Sequence, residues 1–160
     1  MDQSHAHFGT DLRLLRDLER QNDRAPGNDL AITRKPQPEP QPDRVDLETL
    51  SGDDNLKQAL LLRFLTPVGQ LKVLGHPEYG SHLFELIGEL NNETNRNRAK
   101  MFVLQALAGE PRVKRVRSVL VTQNRAYRER MDIEASLEVI GSDTVLNLVF
   151  PFFLDGDIRT

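Results

Sequence analysis

The 160-residue chain contains no cysteine and no tryptophan. The absence of cysteine excludes disulfides, thiolate zinc sites, iron–sulfur clusters and a cysteine nucleophile. No uninterrupted apolar run approaches the roughly 18 residues that a membrane span needs, and the first residues lack the basic and apolar regions of a secretory signal. We therefore expect a soluble protein that is made inside the cell and does not insert into a membrane.

Neither sign of charge dominates, because 21 basic residues face 24 acidic ones and the formal net charge is −3. A protein of this balance is not expected to bind nucleic acid. The charges are unevenly placed, however: residues 110–130 carry a local charge of +5 and residues 131–160 a local charge of −5. This division predicts either attraction between neighbouring strands or a docking surface for a charged partner.

A proline-rich segment divides the chain. Between Lys35 and Asp43, prolines at 36, 38, 40 and 42 alternate with glutamine and glutamate. Such a pattern favours an extended polyproline II spacer, and a ligand for an SH3-type domain is the alternative. We therefore divide the protein into an N-terminal extension, 1–45, and a domain, 46–160. Leucines within Thr10–Arg24 predict a short amphipathic helix in the extension.

Three helices are predicted in the first half of the domain. The first begins after the cap residue Ser51 and ends before Pro67, and the second spans 81–92. The third begins with Thr94 as its cap and ends at Gly109.

The second half of the domain predicts strands. Residues 113–121 are rich in β-branched side chains, and 133–139 alternate between apolar and polar residues before a turn at 141–143 leads into 145–153. The predicted fold class is α+β, with three helices packed on one face of a small antiparallel sheet, a C-terminal β-hairpin and an extended N-terminal segment.

Histidines do not form a convincing metal site. His5 and His7 lie near the terminus, and His76, Glu78 and His82 lie in one loop and the start of a helix. Neither spacing fixes the three or four converging ligands that a metal requires. Phosphate-binding glycine loops and the serine-hydrolase elbow are also absent from the sequence. We expect no metal and no cofactor.

Carboxylates are the main acid–base resource, and the candidates are Glu78, Glu85, Glu89 and Glu110. A glycosidase needs two carboxyl groups roughly 5 to 10 Å apart, one of them with a raised pKa. Glu85 and Glu89 are spaced as on one helix face, which is equally typical of a solvated surface. We therefore assign no catalytic residue.

The tripeptide Glu110-Pro111-Arg112 directly follows a predicted helix end. The proline stiffens the turn and so holds a carboxylate and a guanidinium in fixed positions. A surface ion pair in a turn, contributing at most about 1 kcal/mol, is the alternative interpretation.

Several short motifs occur in a characteristic order along the whole chain. They are Phe8-Gly9-Thr10-Asp11-Leu12, Asp54-Asn55-Leu56, Thr66-Pro67-Val68-Gly69, Pro77-Glu78-Tyr79-Gly80, Leu83 with Leu86-Ile87, Ala106-Leu107, Glu110-Pro111-Arg112-Val113 and Leu148-Val149-Phe150-Pro151-Phe152. The ordered set resembles the baseplate wedge family of contractile phage tails, long labelled lysozyme-like. That family includes phage baseplate assembly protein W and the type VI secretion baseplate component.

This resemblance implies a structural, non-enzymatic role as a sheath initiator. The partners it implies are sheath subunits, baseplate wedge proteins and inner tube proteins, with several copies, six in the family's arrangement, placed around the tube. The wedge contact would use Glu110, Pro111 and Arg112. Arms of the first sheath ring would add strands to the C-terminal sheet, at Val145, Asn147, Val149, Phe150 and Phe152. The protein would be made in the bacterial cytoplasm and built into a baseplate.

Two features depart from the family pattern, namely the proline-rich segment and the basic stretch 125–130. They leave open whether the particle is a phage tail, an extracellular injection particle or a type VI secretion system. Two other functions also stay open. One is a peptidoglycan-cleaving enzyme, and the other is a regulator-binding module on the same fold.

Overall fold

A computed structural model of the chain describes residues 8–15, 30–38, 42 and 44–155. The described part contains two α-helices, which are α1 (Gly52–Leu65) and α2 (Glu93–Ala108). Its strands are β1 (Thr10–Leu12), β2 (Ile32–Lys35), β3 (Arg44–Leu47), β4 (Thr49–Ser51), β5 (Val113–Gln123), β6 (Arg130–Val139) and β7 (Val145–Phe153). They form three antiparallel sheets, ordered β1-β4, β2-β3 and β5-β6-β7.

The predicted arrangement of three helices on one sheet is therefore wrong, although the general α+β class is right. The described residues contain two α-helices where three are predicted, and two further sheets, each of two strands, lie in the N-terminal part. The predicted pair 133–139 and 145–153 does form, but as β6 and β7 of a three-stranded sheet.

Helix α1 begins and ends where the sequence predicts. Ser51 is the N-cap residue and has an extended conformation. Asp53 and Asp54 place negative charge in the first turn, where it interacts favourably with the helix dipole and stabilises the helix. At the other end, the Thr66 backbone N–H and hydroxyl both donate to the Leu62 carbonyl, at 3.0 and 2.7 Å. Pro67 follows and prevents continuation.

The helix predicted over 81–92 is absent from the structure. Only Leu83–Leu86 form a short 3-10 turn, in which Leu83 and Leu86 are buried. Gly88 then adopts φ +88, a left-handed conformation that ends any helix, and Leu90 is 77% exposed. The apolar spacing was misleading because only two of its four members face the core.

Helix α2 confirms the third predicted helix but not its cap. The N-cap residue is Asn92, whose side-chain oxygen accepts a hydrogen bond from the Asn95 N–H at 2.8 Å. Thr94 lies inside the first turn instead. Asparagine and threonine are both good N-caps, so the sequence alone left the choice between neighbouring positions weakly determined.

The N-terminal segment packs onto α1 as a strand, not as the predicted amphipathic helix. β1 pairs with β4, and residues 16–24 of the predicted helix lie outside the described residues. The side chain of buried Gln58 accepts from the N–H groups of Leu14 and Leu15, at 2.7 and 3.0 Å, and donates to the Leu12 carbonyl at 2.8 Å. These backbone groups are therefore satisfied without a helix.

The proline-rich segment connects β2 to β3, which pair antiparallel from Ile32↔Leu47 to Lys35↔Arg44. It is thus the connection at the end of a two-stranded ribbon. Positions 39–41 and 43 of the segment lie outside the described residues. The predicted spacer thus lies between two paired strands. Alternating prolines remove backbone donors within the segment but not from the residues that flank it, so the flanking residues can still pair.

One hydrophobic core joins the N-terminal segment, both helices and the inner face of the C-terminal sheet. Phe64 of α1 meets Phe150 of β7 with ring centroids 5.6 Å apart. The described helices are too short or too polar to cross a membrane.

Candidate functional site

The second edge of β7 is the first candidate site, because none of the described strands pairs with it. The Arg130 carbonyl accepts a hydrogen bond from the Asn124 N–H, on the β5 side. Backbone groups of successive residues in a strand point to opposite sides, so the N–H and C=O groups of even-numbered β6 residues point to β5 and those of odd-numbered residues point to β7. Ile133 and its partner Phe150 therefore form backbone hydrogen bonds with each other. It follows that Val145, Asn147 and Val149 direct their backbone N–H and C=O groups away from β6.

The five predicted strand-addition residues divide between the two faces of the sheet. Asn147 and Val149 are exposed and Val145 is half-buried, all on the outer face. Phe150 is only 2% exposed and packs in the core, and Phe152 is half-buried against it. The side chain of Phe150 is thus unavailable to a partner, and its backbone faces β6.

The two outer edges of this sheet differ in character. Strand β5 has two register shifts against β6, after Val113 and after Val116, and exposes Lys114, Arg115 and Arg117. Bulges and charges of this kind protect an edge against pairing. The register of β7 against β6 runs without a shift from Arg130↔Phe153 to Glu138↔Val145. The regular edge of β7 is the better template for an added strand, although Pro151 supplies no N–H there.

Glu110 and Arg112, the second candidate site, form a close ion pair across the turn that Pro111 makes. Arg112 donates from Nε to Glu110 Oε1 at 2.7 Å and from Nη2 to Oε2 at 3.2 Å. This is the two-pronged geometry in which guanidinium binds carboxylate most strongly. Glu110 is only 6% exposed, so its carboxylate belongs to the interior of the protein.

Arg63 of α1 completes this buried cluster, and the sequence analysis missed it. Its Nη2 lies 3.4 Å from Glu110 Oε2, and its guanidinium stacks over the ring of Tyr79 at 4.6 Å. The contacts join α1, the end of α2 and the loop that carries Tyr79. A signal was present, since Arg63 is the one charged residue in the apolar run from Ala59 to Leu65.

The pKa of Glu110 reflects these neighbours. Burial raises the pKa, but hydrogen bonds from the Arg112 side chain and backbone, with the charges of Arg112 and Arg63, bring it below its ordinary value. Burial also raises the pKa of the Tyr79 hydroxyl. Glu110 is consequently a stable anion at neutral pH and lacks the raised pKa of a general acid.

Two of the glycine-containing motifs meet beside this cluster. A β-bridge joins Pro67 to Ser81, and the Val68 N–H donates to the Ser81 carbonyl at 3.1 Å. Gly80 has φ +119, and a Cβ there would lie 2.5 Å from the Thr66 carbonyl oxygen. Any side chain at this position would collide with backbone, so only glycine lets the two loops approach.

The other acid–base candidates do not converge. Glu78 and Glu89 are exposed. Glu85 bonds to His82 Nδ1 at 2.6 Å and lies 4.0 Å from Arg98. Within the described ranges no three His, Asp or Glu side chains are placed to hold a metal ion. His5 and His7 lie outside those ranges.

The charge division is partly accounted for by pairing within the sheet. Arg117 of β5 donates from Nε to Glu138 Oε1 of β6 at 2.7 Å. This hydrogen bond is the main cause that lowers the pKa of Glu138, with further contributions from the charges of Arg117, Arg115 and Lys114. The predicted attraction between neighbouring strands is therefore present for this pair.

No family model matches the chain, and neither does any curated protein. Among solved structures, the chain is similar to a crystal structure described as a "putative tail lysozyme" from Geobacter sulfurreducens. The two share 26% sequence identity and superpose with a TM-score of 0.53, covering 61% of this chain and 86% of that one. The similarity relates this fold to a tail-associated protein.

Proposed function

We propose that this protein is a structural component of the baseplate of a contractile tail or injection particle, and that it starts sheath assembly. An extended arm of a first-ring sheath subunit would add a strand to the open edge of β7. The sequence motifs resemble the baseplate wedge family, and the similarity to a tail-associated structure agrees with that resemblance. Incorporation into a tail follows from the same proposal.

The single observation that carries the proposal is the regular, unpaired second edge of β7 in the described part of the chain. Strand addition to a sheet edge gains affinity from backbone hydrogen bonds and specificity from alternate side chains. Asn147 and Val149 would offer both, since their side chains lie on the outer face beside the exposed backbone groups. Wedge and tube proteins would contact other surfaces of the same copy.

The buried cluster suggests a supporting role for Glu110-Pro111-Arg112. The Glu110 carboxylate is paired with Arg112 and Arg63, so its role would be to stabilise the fold and the position of the loop that carries Tyr79. Arg112, whose side chain is 30% exposed, is the member of the tripeptide that could also reach a wedge protein.

Deletion of the gene in the native producer tests the proposal, with electron microscopy of the particles as the readout. We expect particles without sheaths, restored by a plasmid copy of the gene. Normal sheathed particles from the deletion strain would refute the role. If the deletion strain has no particle defect and a pull-down of the tagged protein retains a single signalling protein, the regulator-binding alternative would be favoured.

A peptidoglycan-cleaving enzyme is the second candidate, favoured by the word lysozyme in the description of the similar structure. Glu78 is the acid to test, because it lines a pocket together with Ser81 and His82, whereas Arg112 and Arg63 hold Glu110 as an anion. The test is clearing of a peptidoglycan suspension between about pH 4 and 8. Clearing that Glu78→Gln removes would support the enzyme, and we expect none.

A further inference from the structure

The β2-β3 ribbon lacks the support that such an element needs. Its two strands pair with each other, and no further described strand continues their sheet. A two-stranded ribbon by itself is at best marginally stable in water. Cover from another surface would therefore stabilise it.

The ribbon has one polar and one apolar face. On the polar face, Asp46 accepts a hydrogen bond from Lys35 at 3.0 Å and lies 3.9 Å from Arg44. The other face carries Ile32, Arg34, Val45 and Leu47, according to the register Ile32↔Leu47 and Arg34↔Val45. The charges of the polar face are thus paired within the ribbon itself.

The apolar face is uncovered. Ile32 is 61% exposed and Val45 56% exposed, although β-branched residues of paired strands usually pack against a neighbour. Arg34 lies among them, and its guanidinium has no hydrogen-bond or ion-pair partner in the described part of the protein. This face therefore presents a single unpaired cation within an apolar surface.

The outer face of the C-terminal sheet has the complementary pattern. Glu134 of β6 lies directly between Leu120 of β5 and Val149 of β7 in the register. Leu120 is 55% exposed and Val149 39% exposed. The Glu134 carboxylate also has no partner among the described residues. This row presents a single unpaired anion within an apolar surface.

We propose that the ribbon of one copy docks on the outer sheet face of a second copy. Arg34 would pair with Glu134, while Ile32, Val45 and Leu47 would cover Leu120 and Val149. Charge complementarity selects a second copy as the occupant, because both unpaired charges and both apolar surfaces belong to this chain. The inference does not depend on a role in a tail.

The contact joins two different surfaces and is therefore heterologous. Contacts of this type link copies head to tail and generate rings when the rotation closes, or open chains when it does not. The backbone edge of β7 remains available in such an assembly, since the ribbon would cover the face of the sheet. The Val149 side chain would then be covered, so an added strand would take its side-chain contact from Asn147.

Sedimentation equilibrium of the full chain from about 1 µM to 1 mM tests this contact. We expect association that increases with concentration. Arg34→Glu and Glu134→Arg should each weaken it by at least about tenfold, since each places like charges together. The double variant, Arg34→Glu with Glu134→Arg, should associate within about threefold of the native chain.

Lys72→Glu and Glu89→Arg are matched controls, because they reverse exposed charges elsewhere and should leave association unchanged. A native chain that stays monomeric throughout would overturn the inference. So would a loss caused by Arg34→Glu but not by Glu134→Arg, since the ribbon would then bind another surface. Failure of the double variant to recover association would equally exclude the pair.

Discussion

Arg63 of α1 and Glu110 at the end of α2 are 47 residues apart in sequence, yet Arg63 Nη2 lies 3.4 Å from Glu110 Oε2. The side chains are 11% and 6% exposed, so the contact is inside the protein. A turn motif that sequence inspection assigns to partner binding is therefore first of all an internal connection between two helices.

Replacement of Glu110 by glutamine should destabilise the fold. Glutamine keeps the size of the side chain but removes the charge that holds Arg112 and Arg63, and charge-assisted hydrogen bonds contribute about 1.5 to 3 kcal/mol. We expect the free energy of unfolding to fall by about that amount in urea titrations at neutral pH. Glu89→Gln, at an exposed position, is the matched control and should change little. Equal stability of the two variants would show that the cluster is not structural.

The stability contributed by Glu110 should also depend on pH. Its pKa in the folded state lies below the ordinary value of 4.5, because the arginine contacts outweigh the effect of burial. The contribution is present above that ordinary value and is lost as the pH falls through the lower, folded pKa. Urea titrations at a series of pH values should show the native chain losing more stability than Glu110→Gln on acidification. Parallel curves would contradict this.

Gly80→Ala should be far more damaging than Gly75→Ala. Both glycines have positive φ, at +119 and +85, and both alanines would be strained. Only at Gly80 would the added Cβ meet backbone, 2.5 Å from the Thr66 oxygen, whereas nothing lies within 4 Å at Gly75. Thermal unfolding should separate the variants, with a loss of about 1 kcal/mol for Gly75→Ala and several times more for Gly80→Ala. Similar losses would mean that the loops can move apart.

Gln58→Leu should release the N-terminal strand. The side chain of Gln58 hydrogen-bonds to the backbone of Leu12, Leu14 and Leu15. Leucine would leave these groups without that partner, and the N–H of Leu15 is buried. Each buried unsatisfied group costs about 1 to 3 kcal/mol. Limited proteolysis should then cut near β1 much faster than in the native chain. Gln105→Leu, at an exposed position on α2, is the control, and equal cutting of both variants would argue against this role.

The sequence predicted the elements whose signals are local. Helix α1 has acidic residues in its first turn and a proline shortly after its last. Strand β5 is rich in β-branched residues, β6 alternates between apolar and polar residues, and a glycine turn leads from β6 into the mainly apolar β7. The helix expected over 81–92 failed because helical spacing cannot show that Gly88 takes a left-handed conformation.

The remaining features depend on long-range pairing. The strand at Thr10 forms because β4 and Gln58, which lie 37 to 46 residues away in sequence, hydrogen-bond to its backbone. No local pattern encodes those partners. For the site, the tripeptide at Glu110 was found but its buried partner Arg63 was not. The five predicted strand-addition residues all lie in β7, but Phe150 belongs to the core, a distinction that requires the register with β6.

The most direct test of sheath initiation is a pull-down from the native producer with two variants of one edge residue. Asn147→Pro removes an N–H that points away from β6, so the sheet should survive while strand addition is blocked. Asn147→Val loses the same contact with Ser136 but keeps the N–H. Circular dichroism would establish that both variants fold.

We expect tagged native protein and Asn147→Val to retain sheath, wedge and tube proteins, identified by mass spectrometry. Asn147→Pro should retain wedge and tube proteins but lose the sheath subunits. If folded Asn147→Pro retains as much sheath protein as Asn147→Val, strand addition at β7 is not how this protein engages a sheath. The central claim would then be contradicted.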